Sequence, residues 1–222
     1  ALVVCPTTLM FNWENEIKKF TPALTYLIHH GGDRARDKKI FAEKDVMITT
    51  YGTLRSDIRL LVDVPFDYVV LDESQAIKNP QSKVTKAASL LQAKSRLCMS
   101  GTPLQNNTFD IYAQMNFLNP GMLGSVEFFR NEFATPIDKF GEQVQKEHLK
   151  KLLYPFILRR TKEQVAKDLP DKTETILFCE MEDEQRKIYD AYRNDYRNKI
   201  LGVISEQGID KSPLTTLQGS MK

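Results

Sequence analysis

Cysteine is scarce in this sequence of 222 residues, and no long apolar run is present. The three cysteines, Cys5, Cys98 and Cys179, have no paired spacing, which argues against a disulfide framework or a zinc site. A helix that spans a bilayer needs about 20 consecutive apolar residues, whereas the longest candidate here covers only residues 68–71. The first residues also lack the basic leader of a signal peptide. These absences predict an intracellular protein.

An excess of one charge sign is missing as well. The chain has 31 Lys and Arg residues against 29 Asp and Glu residues, which gives a formal net charge of +2. This balance neither predicts nor excludes nucleic-acid binding, because a local basic face rather than the summed charge binds phosphates. Apolar residues make up 41% and charged residues 27%, as in an ordinary globular protein. The length fits one large domain, or one domain with a piece of a second.

Short apolar runs alternate with amphipathic helical patterns through the first half of the chain. Strands are predicted at residues 2–5, 24–28, 46–48, 66–71 and 96–99. Helices are predicted between them, including one at 33–42 and one that Asn79 caps with Pro80 at its first position. Apolar strands that alternate with helices predict a parallel sheet covered on both faces. Residues 1–118 are therefore predicted to form one α/β lobe.

The pattern becomes helical after Asn119-Pro120-Gly121. Residues 119–168 are predicted to form a helical insertion and a connector, with one helix ended or kinked by Pro155. A strand is predicted at 175–179, and a long helix is predicted from Glu184. Residues 169–222 are therefore predicted to begin a second lobe that the chain does not complete.

Two adjacent carboxylates, Asp72 and Glu73, follow the most strand-like run in the sequence. In an open parallel sheet, ligands bind beyond the carboxyl ends of the strands. A carboxylate held there suits Mg²⁺, which prefers oxygen ligands and keeps several waters. A neighbouring carboxylate can orient or deprotonate an attacking water in phosphoryl transfer. For the pair taken alone, the alternative is an acidic turn that merely ends a strand or caps a helix.

A second polar loop, Ser100-Gly101-Thr102, also follows an apolar strand and is predicted to lie at the same sheet edge. Gly101 permits close backbone approach, and the hydroxyls of Ser100 and Thr102 can bridge to a neighbouring loop. Alone, this segment is an ordinary turn, but together the two loops are far more specific and predict a nucleotide site. Trp13 is predicted to anchor the first helix in the core rather than to stack on a base.

Five segments of the sequence match, in order, the motifs of one known family. They are residues 4–9 with 12–14, residues 48–51, residues 72–75, residues 100–106, and residues 156–162 with the downstream Val165 and Leu169-Pro170. They resemble motifs Ia, Ib, II and III and the lobe connector of the switch/sucrose-non-fermenting (SWI/SNF) family of double-stranded-DNA translocases, in helicase superfamily two. The resemblance implies a RecA-like lobe of the P-loop NTPase type at residues 1–118 and the start of a second RecA-like lobe at residues 169–222.

The resemblance implies a DNA-dependent ATPase that uses ATP and Mg²⁺, with a role for each matched residue. Asp72 would hold Mg²⁺, Glu73 would position the hydrolytic water, and Gln75 would also lie beside the nucleotide. The residues that would couple the nucleotide site to the other lobe are Gln75, Ser100, Gly101 and Thr102. The residues that would contact duplex DNA are Thr7, Thr8, Thr50, Tyr51 and Asn106. A DNA-bound protein complex would be a further partner, and the protein would be cytoplasmic, or nucleoid-associated in a prokaryote.

The phosphate-binding loop of that family, a Gly-rich turn ending in Gly-Lys-Thr or Gly-Lys-Ser, has no match in these residues. It is expected upstream of Ala1, and the arginines of the second lobe are expected beyond Lys222, so that this piece alone should be inactive. Two other interpretations stay open: a nucleic-acid-binding or scaffold module that lost the loop, and a strand-separating helicase of superfamily two. A flavodoxin-type small-molecule enzyme fits less well, because it leaves the helical insertion unexplained.

Overall fold

The computed structural model describes residues 1–101, 108–165, 168, 173 and 175–207. The chain separates into two units, Ala1–Leu158 and Arg159–Lys222. The first unit contains all the strands that the structure describes, and the described elements of the second unit are helices. Within these ranges, no helix combines the length and the apolar character that crossing a membrane requires.

Five parallel strands form a single sheet in the first unit. In chain order they are β1 (Leu2–Cys5), β2 (Tyr26–His29), β3 (Val46–Thr50), β4 (Phe66–Leu71) and β5 (Ala93–Cys98). Their order in the sheet is β2-β3-β1-β4-β5, and every neighbouring pair is parallel. The predicted parallel α/β sheet is therefore confirmed. Because all five strands run in the same direction, their carboxyl ends meet at one edge of the sheet.

Helices connect and cover these strands. Those that alternate with the strands are α1 (Met10–Phe20), α2 (Lys38–Ala42), α3 (Tyr51–Leu61), α4 (Lys83–Leu90) and α5 (Phe109–Leu118). The helical region that follows in the same unit contains α6 (Val126–Phe129), α7 (Thr135–Phe140) and α8 (Gln143–Leu153), with a turn of π-helix at Arg130–Ala134. Single turns of 3₁₀ helix lie at Thr7–Leu9, Ser74–Ile77 and Tyr154–Phe156.

The two faces of the sheet are buried by different helices. On one face, Leu2 and Leu71 are fully buried and pack with side chains of α3, α4 and α5. On the other face, Val3 packs with Met10 and Ile17 of α1. Complete burial of such an aliphatic side chain contributes about 1.5–3 kcal/mol. Consecutive positions of β1 thus face separate apolar layers, which explains why this strand is a continuous apolar run in the sequence.

A separate apolar cluster stabilises the helical region after α5. The ring of Phe129 is fully buried, and its centroid lies 4.8 Å from that of Tyr112. Leu153, the last residue of α8, belongs to the same cluster. Pro155 then replaces the regular helix by the 3₁₀ turn at Tyr154–Phe156, since proline has no N–H to continue the α-helical hydrogen bonds. The predicted break at Pro155 is confirmed.

Helix α2 is shorter than the helix predicted at residues 33–42. It begins at Lys38, because the side chain of Asp37 caps it by accepting a hydrogen bond from the Lys39 N–H at 2.9 Å. Residues 33–36 precede the helix. Among them, Arg34 donates a hydrogen bond to the carboxylate of Asp57 on α3. Arg34 therefore makes a tertiary contact outside the helix, although the sequence pattern predicts it to be helical.

Helix α4 also begins later than its predicted start at Asn79. The hydroxyl of Ser82 accepts a hydrogen bond from the Thr85 N–H at 3.1 Å and caps a helix that starts at Lys83. Asn79 instead accepts a hydrogen bond from the Gln81 N–H at 2.9 Å, within the preceding turn. Both Asn and Ser are good N-caps, so sequence alone does not decide between them.

The second unit contains α9 (Lys162–Val165) and α10 (Asp183–Gln207). The long helix predicted from Glu184 is confirmed. The strand predicted at 175–179 is wrong, because residues 175–180 have no regular secondary structure. A strand needs neighbouring backbone groups as hydrogen-bond partners, and none of the elements described in this unit is a strand. The domain boundaries after residues 118 and 168 stay predictions.

Candidate nucleotide site

The carboxyl ends of β1, β4 and β5 bring two predicted polar loops to one edge of the sheet. Leu71, the last residue of β4, pairs with Val4 of β1 on one side and with Cys98 of β5 on the other. Backbone pairing continues beyond it, since Asp72 N donates to Val4 O at 2.8 Å and Met99 N donates to Leu71 O at 2.8 Å. Asp72 and the loop after Met99 therefore start side by side, as the sequence pattern predicts.

Asp72 accepts three hydrogen bonds. Its Oδ1 accepts from the backbone N–H of Glu73 at 2.9 Å, and its Oδ2 accepts from the indole Nε1–H of Trp13 at 2.9 Å. Its backbone carbonyl accepts from the hydroxyl of Tyr51 at 2.7 Å. An ionised carboxylate has about four acceptor positions, so both oxygens keep capacity for another partner. The structure thus presents a carboxylate with a defined orientation and unused acceptor sites.

Trp13 has a second role that its sequence position does not reveal. Its ring packs partly buried against the apolar cluster between α1 and the sheet, which agrees with the predicted core anchor. The contact between its indole and Asp72, however, joins residues 59 positions apart. Helical periodicity indicates which face of α1 is apolar, but it gives no information about what the indole N–H meets.

Glu73 adopts a left-handed backbone conformation, with φ of 50°. Within the part of the chain that the structure describes, it is the one residue other than glycine with positive φ. This conformation costs a residue with a side chain about 1–2 kcal/mol. Residues with such strained backbones cluster at active sites and ligand contacts. The strain therefore marks Glu73 as a functional candidate independently of its charge.

Gln75 joins the loop after β4 to the loop after β5. Its Nε2 donates to Glu73 Oε2 at 2.7 Å, and its Oε1 accepts from Ser100 Oγ at 2.9 Å. An amide side chain can make both contacts at once because it carries a donor and an acceptor. The backbone adds a further link, since Ser74 N donates to Met99 O at 2.9 Å. The structure therefore brings Glu73, Gln75 and Ser100 together, while their coupling role stays a prediction.

The remaining members of the predicted coupling loop contribute less to this arrangement. Gly101 is exposed, and a Cβ atom placed on it would have no neighbour within 4 Å. Within the described residues, therefore, no close backbone approach explains the glycine. Thr102 and Asn106 lie outside the residues that the structure describes. The roles predicted for these three residues stay predictions.

The residues predicted to contact DNA occupy two segments that follow β1 and end β3. Thr7 and Thr8 are exposed in the 3₁₀ turn directly after β1. Thr50 is buried and caps α3, since its Oγ1 accepts from Thr53 N at 3.2 Å. Tyr51 begins α3 and directs its hydroxyl to Asp72. Contact with DNA stays a prediction for all four.

An open cavity of about 430 Å³ lies between these two segments. Residues in its lining include Thr7, Thr50, Tyr51, His30 and Arg34. Helix α3 begins here, and the amino end of a helix carries a partial positive charge with unpaired N–H groups. The helix end makes the cavity suited to an anionic group, whereas the guanidinium of Arg34 is already paired with Asp57.

Asp57 of α3 binds two basic side chains near this cavity. Arg34 Nη2 donates to Asp57 Oδ1 at 2.7 Å, and His29 Nε2 lies 2.9 Å from Asp57 Oδ2. The hydrogen bond with Arg34 lowers the pKa of Asp57 and raises that of Arg34. Burial lowers the pKa of His29, although Asp57 opposes the shift, so that the neutral imidazole is favoured. Sequence analysis missed this cluster, because its members come from three separate segments.

Burial keeps three groups near the sheet edge protonated. It raises the pKa of the Tyr51 hydroxyl well above its ordinary value, so the hydroxyl remains a hydrogen-bond donor. It also raises the pKa of Cys5 to about 11 and that of Cys98 to about 12. Thiols with such pKa values are not nucleophiles near neutral pH. The chemistry available at this edge therefore belongs to the carboxylates, the amide and the hydroxyls.

The fold and this site define a class of protein. A parallel α/β lobe places an acidic pair at the end of one strand and links it, through an amide, to a serine after the next strand. The family model of the SNF2-related domain matches residues 1–221. The chain therefore belongs to the SNF2-related domain family, whose helicase-like ATPase domain has a RecA-like fold.

Individual relatives agree with this assignment. TATA-binding protein-associated factor MOT1 of Saccharomyces cerevisiae is 35% identical over 213 residues, which are 90% of this chain and 11% of MOT1. The putative ATP-dependent helicase/translocase YwqA of Bacillus subtilis is 34% identical over 226 residues, covering 100% of this chain and 24% of YwqA. The Sulfolobus solfataricus SWI2/SNF2 ATPase core, solved in complex with dsDNA, has 44% identity and a TM-score of 0.70. That match covers 91% of this chain and 43% of the solved chain.

Proposed function

We propose that this chain is part of the motor of an ATP-dependent double-stranded-DNA translocase. The observation that carries the proposal is the hydrogen-bonded group of Asp72, Glu73, Gln75 and Ser100 at the carboxyl edge of the sheet. Nucleotides bind at this edge in open α/β sheets. The complex of the Sulfolobus relative with dsDNA supports duplex DNA as the substrate class. Because the chain spans 11% of MOT1 and 24% of YwqA, the activity is proposed for a longer protein.

Asp72 fits the role of a magnesium ligand. Its carboxylate is held by Trp13 and by the Glu73 N–H, and it keeps acceptor positions on both oxygens. Protein sites for Mg²⁺ commonly supply one or two carboxylates, and water and substrate phosphates complete the coordination. Within the described ranges, no group of three or more His, Cys, Asp or Glu side chains could hold a metal ion alone. When bound, Mg²⁺ would neutralise charge on the β- and γ-phosphates of ATP.

Glu73 fits the role of the group that positions the attacking water. Gln75 fixes its Oε2, and a carboxylate has further capacity at its other oxygen for a water molecule. In phosphoryl transfer such a residue orients the water and accepts its proton. The two carboxylates have different partners, since Asp72 accepts from Trp13 and Glu73 accepts from Gln75, which allows adjacent carboxylates to have different roles.

Gln75 and Ser100 would couple the nucleotide site to the rest of the motor. Ser100 begins the loop that also includes Gly101 and Thr102, and its hydroxyl reaches Glu73 through the amide of Gln75. Movement of this loop would therefore change the position of the water-binding carboxylate. Because glutamine has no titratable group, this link should not change with pH near neutrality.

Duplex DNA would contact the segments that line the anion-suited cavity. The exposed Thr7 and Thr8 supply hydroxyls, and the amino end of α3, which begins at Tyr51 after the buried Thr50, supplies backbone N–H groups. Such groups bind phosphates without reading bases, which suits movement along DNA of any sequence. We further propose a DNA-bound protein complex as the object that is moved, because MOT1 is by name a factor associated with a DNA-binding protein. The motor would then act in the cytoplasm, or at the nucleoid in a prokaryote.

The test compares this chain with the longer protein that contains it. The longer protein should hydrolyse ATP faster when duplex DNA is added, and Glu73→Gln should lower that turnover by about 10²–10⁴-fold. Glu16→Gln is the matched control, because Glu16 is an exposed carboxylate on α1. This chain alone should show negligible turnover, because it contains no Gly-Lys-Thr or Gly-Lys-Ser sequence.

Three results would contradict parts of this proposal. Turnover by this chain alone with saturating DNA would show that residues outside it are unnecessary. Separation of the strands of a plain duplex by the longer protein would indicate a helicase rather than a translocase. DNA binding without any ATP hydrolysis by the longer protein would indicate a scaffold module.

A further inference from the structure

Two hydrogen bonds connect the proposed DNA-facing segments, which are the turn at Thr7–Leu9 and the start of α3, directly to Asp72, the proposed magnesium ligand. Trp13 lies on α1, which follows the exposed turn at Thr7–Leu9, and its indole N–H donates to Asp72 Oδ2 at 2.9 Å. Tyr51 follows Thr50 at the start of α3, and its hydroxyl donates to the Asp72 carbonyl at 2.7 Å. Each donor therefore belongs to an element that begins at a DNA-facing segment.

These two donors act on different parts of Asp72. The indole bond fixes one carboxylate oxygen, while the Glu73 N–H fixes the other, and together they set the plane of the carboxylate. The tyrosine bond fixes the peptide carbonyl and hence the backbone from which the side chain projects. An indole N–H can only donate, and the buried Tyr51 hydroxyl stays protonated, so neither contact can reverse its direction.

We propose that Trp13 and Tyr51 are positioning residues that orient Asp72 for Mg²⁺ and make this orientation depend on DNA bound at Thr7, Thr8 and the amino end of α3. The proposal rests on the function proposed above. A shift of α1 or α3 when DNA phosphates bind would move a donor against Asp72. Partners that orient a metal ligand in this way typically change metal affinity or activity about 10–100-fold when they are removed.

A purely structural role for the two residues makes a different prediction. Trp13 and Tyr51 both pack against buried apolar clusters, so removing either changes stability whatever Asp72 does. A structural role would not, however, change the concentration of Mg²⁺ that hydrolysis requires. The Mg²⁺ requirement therefore separates positioning from packing.

The first experiment measures the indole contact itself and needs no enzymatic activity. Trp13 is the single tryptophan of this chain, so a ¹⁵N-labelled sample gives one indole N–H resonance. Asp72→Ala should shift this resonance and speed exchange of its proton with water, because the acceptor is lost. Glu73→Ala, at the neighbouring carboxylate, should leave the indole exchange rate almost unchanged. An indole resonance and exchange rate that do not respond to Asp72→Ala would overturn the proposal.

The second experiment uses the longer protein and two substitutions that remove one donor each. Trp13→Phe and Tyr51→Phe should each lower DNA-stimulated turnover about 10–100-fold and raise the Mg²⁺ concentration needed for half-maximal turnover. Tyr26→Phe is the matched control, because it removes a 2.8 Å hydrogen bond to Glu14 on the same helix α1 without touching Asp72. It should leave turnover and the Mg²⁺ requirement at wild-type values.

The outcomes of the two experiments separate this inference from the proposed function. Wild-type Mg²⁺ dependence and DNA stimulation in both Trp13→Phe and Tyr51→Phe would overturn the inference and leave the proposed function intact. A wild-type protein without DNA-stimulated hydrolysis would overturn the proposed function and, with it, the DNA-dependent part of the inference. The indole measurement would still decide whether Trp13 is hydrogen-bonded to Asp72.

Discussion

The charged cluster of His29, Arg34 and Asp57 should contribute strongly to the stability of the first unit. Asp57 and Arg34 have side chains that are 13% and 16% exposed, so their interaction is mostly shielded from water. Asp57→Asn removes the negative charge and leaves the guanidinium of Arg34 without its counter-ion. Breaking a buried ion pair from one side costs about 3–5 kcal/mol. Exposed pairs contribute at most about 1 kcal/mol, and because this pair is only partly buried we expect an intermediate loss of about 2 kcal/mol.

This cost is measurable by urea denaturation with tryptophan fluorescence. Trp13 is the single tryptophan and lies in the first unit, so its signal reports the unfolding of that unit. A loss of about 2 kcal/mol corresponds to a fall in Tm of roughly 4–8 °C for a domain of this size. Asp63→Asn is the matched control, because Asp63 pairs with Lys38 at the surface, with 65% and 46% of the side chains exposed. Its free energy of unfolding should change by less than about 1 kcal/mol.

The direction of the pKa shift of Asp57 predicts how this stabilisation depends on pH. Arg34 holds the pKa of Asp57 below its ordinary value, so the stabilisation is present above that ordinary value, about 3.9. It is lost as the pH falls through the lower pKa of the folded state, because the carboxylate becomes protonated. The difference between wild type and Asp57→Asn should therefore shrink in acid. A variant equal in stability to Asp63→Asn at pH 7 would refute the assignment of the cluster.

Three further predictions concern other parts of the chain. Because the pKa of His29 is lowered, the free energy of unfolding should fall as the pH decreases below about 6.5. Urea titrations at several pH values should show this dependence, and His29→Gln should flatten it. Ser100→Ala should lower DNA-stimulated turnover of the longer protein about tenfold, because it removes one hydrogen bond worth about 1.4 kcal/mol. Ser95→Ala, at an exposed position of β5, is the control and should leave turnover unchanged. Gly124→Ala should lower Tm more than Gly141→Ala. Both glycines have positive φ, 71° and 67°, but only at Gly124 would the new Cβ meet a ring atom of Phe128, at 2.7 Å; equal losses would contradict the clash.

The alternation of apolar runs with helical patterns was sufficient to predict the parallel sheet. The central strand β1 is buried on both faces, so its apolar residues are consecutive and its position is visible without tertiary information. The same pattern predicted that the loops at Asp72 and Ser100 lie at one edge of the sheet, because parallel strands end at a common edge. Helix starts were harder to predict, since Asn79 and Ser82 are both good caps and only the packed backbone selects Ser82.

The acidic pair and the family motifs were thus determined by the sequence alone, because their information is local: residue types at fixed spacing after an apolar strand. The tertiary structure decided what holds that pair in place. The indole of Trp13 reaches Asp72 across 59 positions, and the guanidinium of Arg34 reaches Asp57 across 23. Such contacts depend on how α1 and α3 pack on the sheet, and no periodicity in the sequence encodes the direction of an individual side chain. The sequence therefore predicts which groups carry the chemistry, and the packing decides how they are oriented.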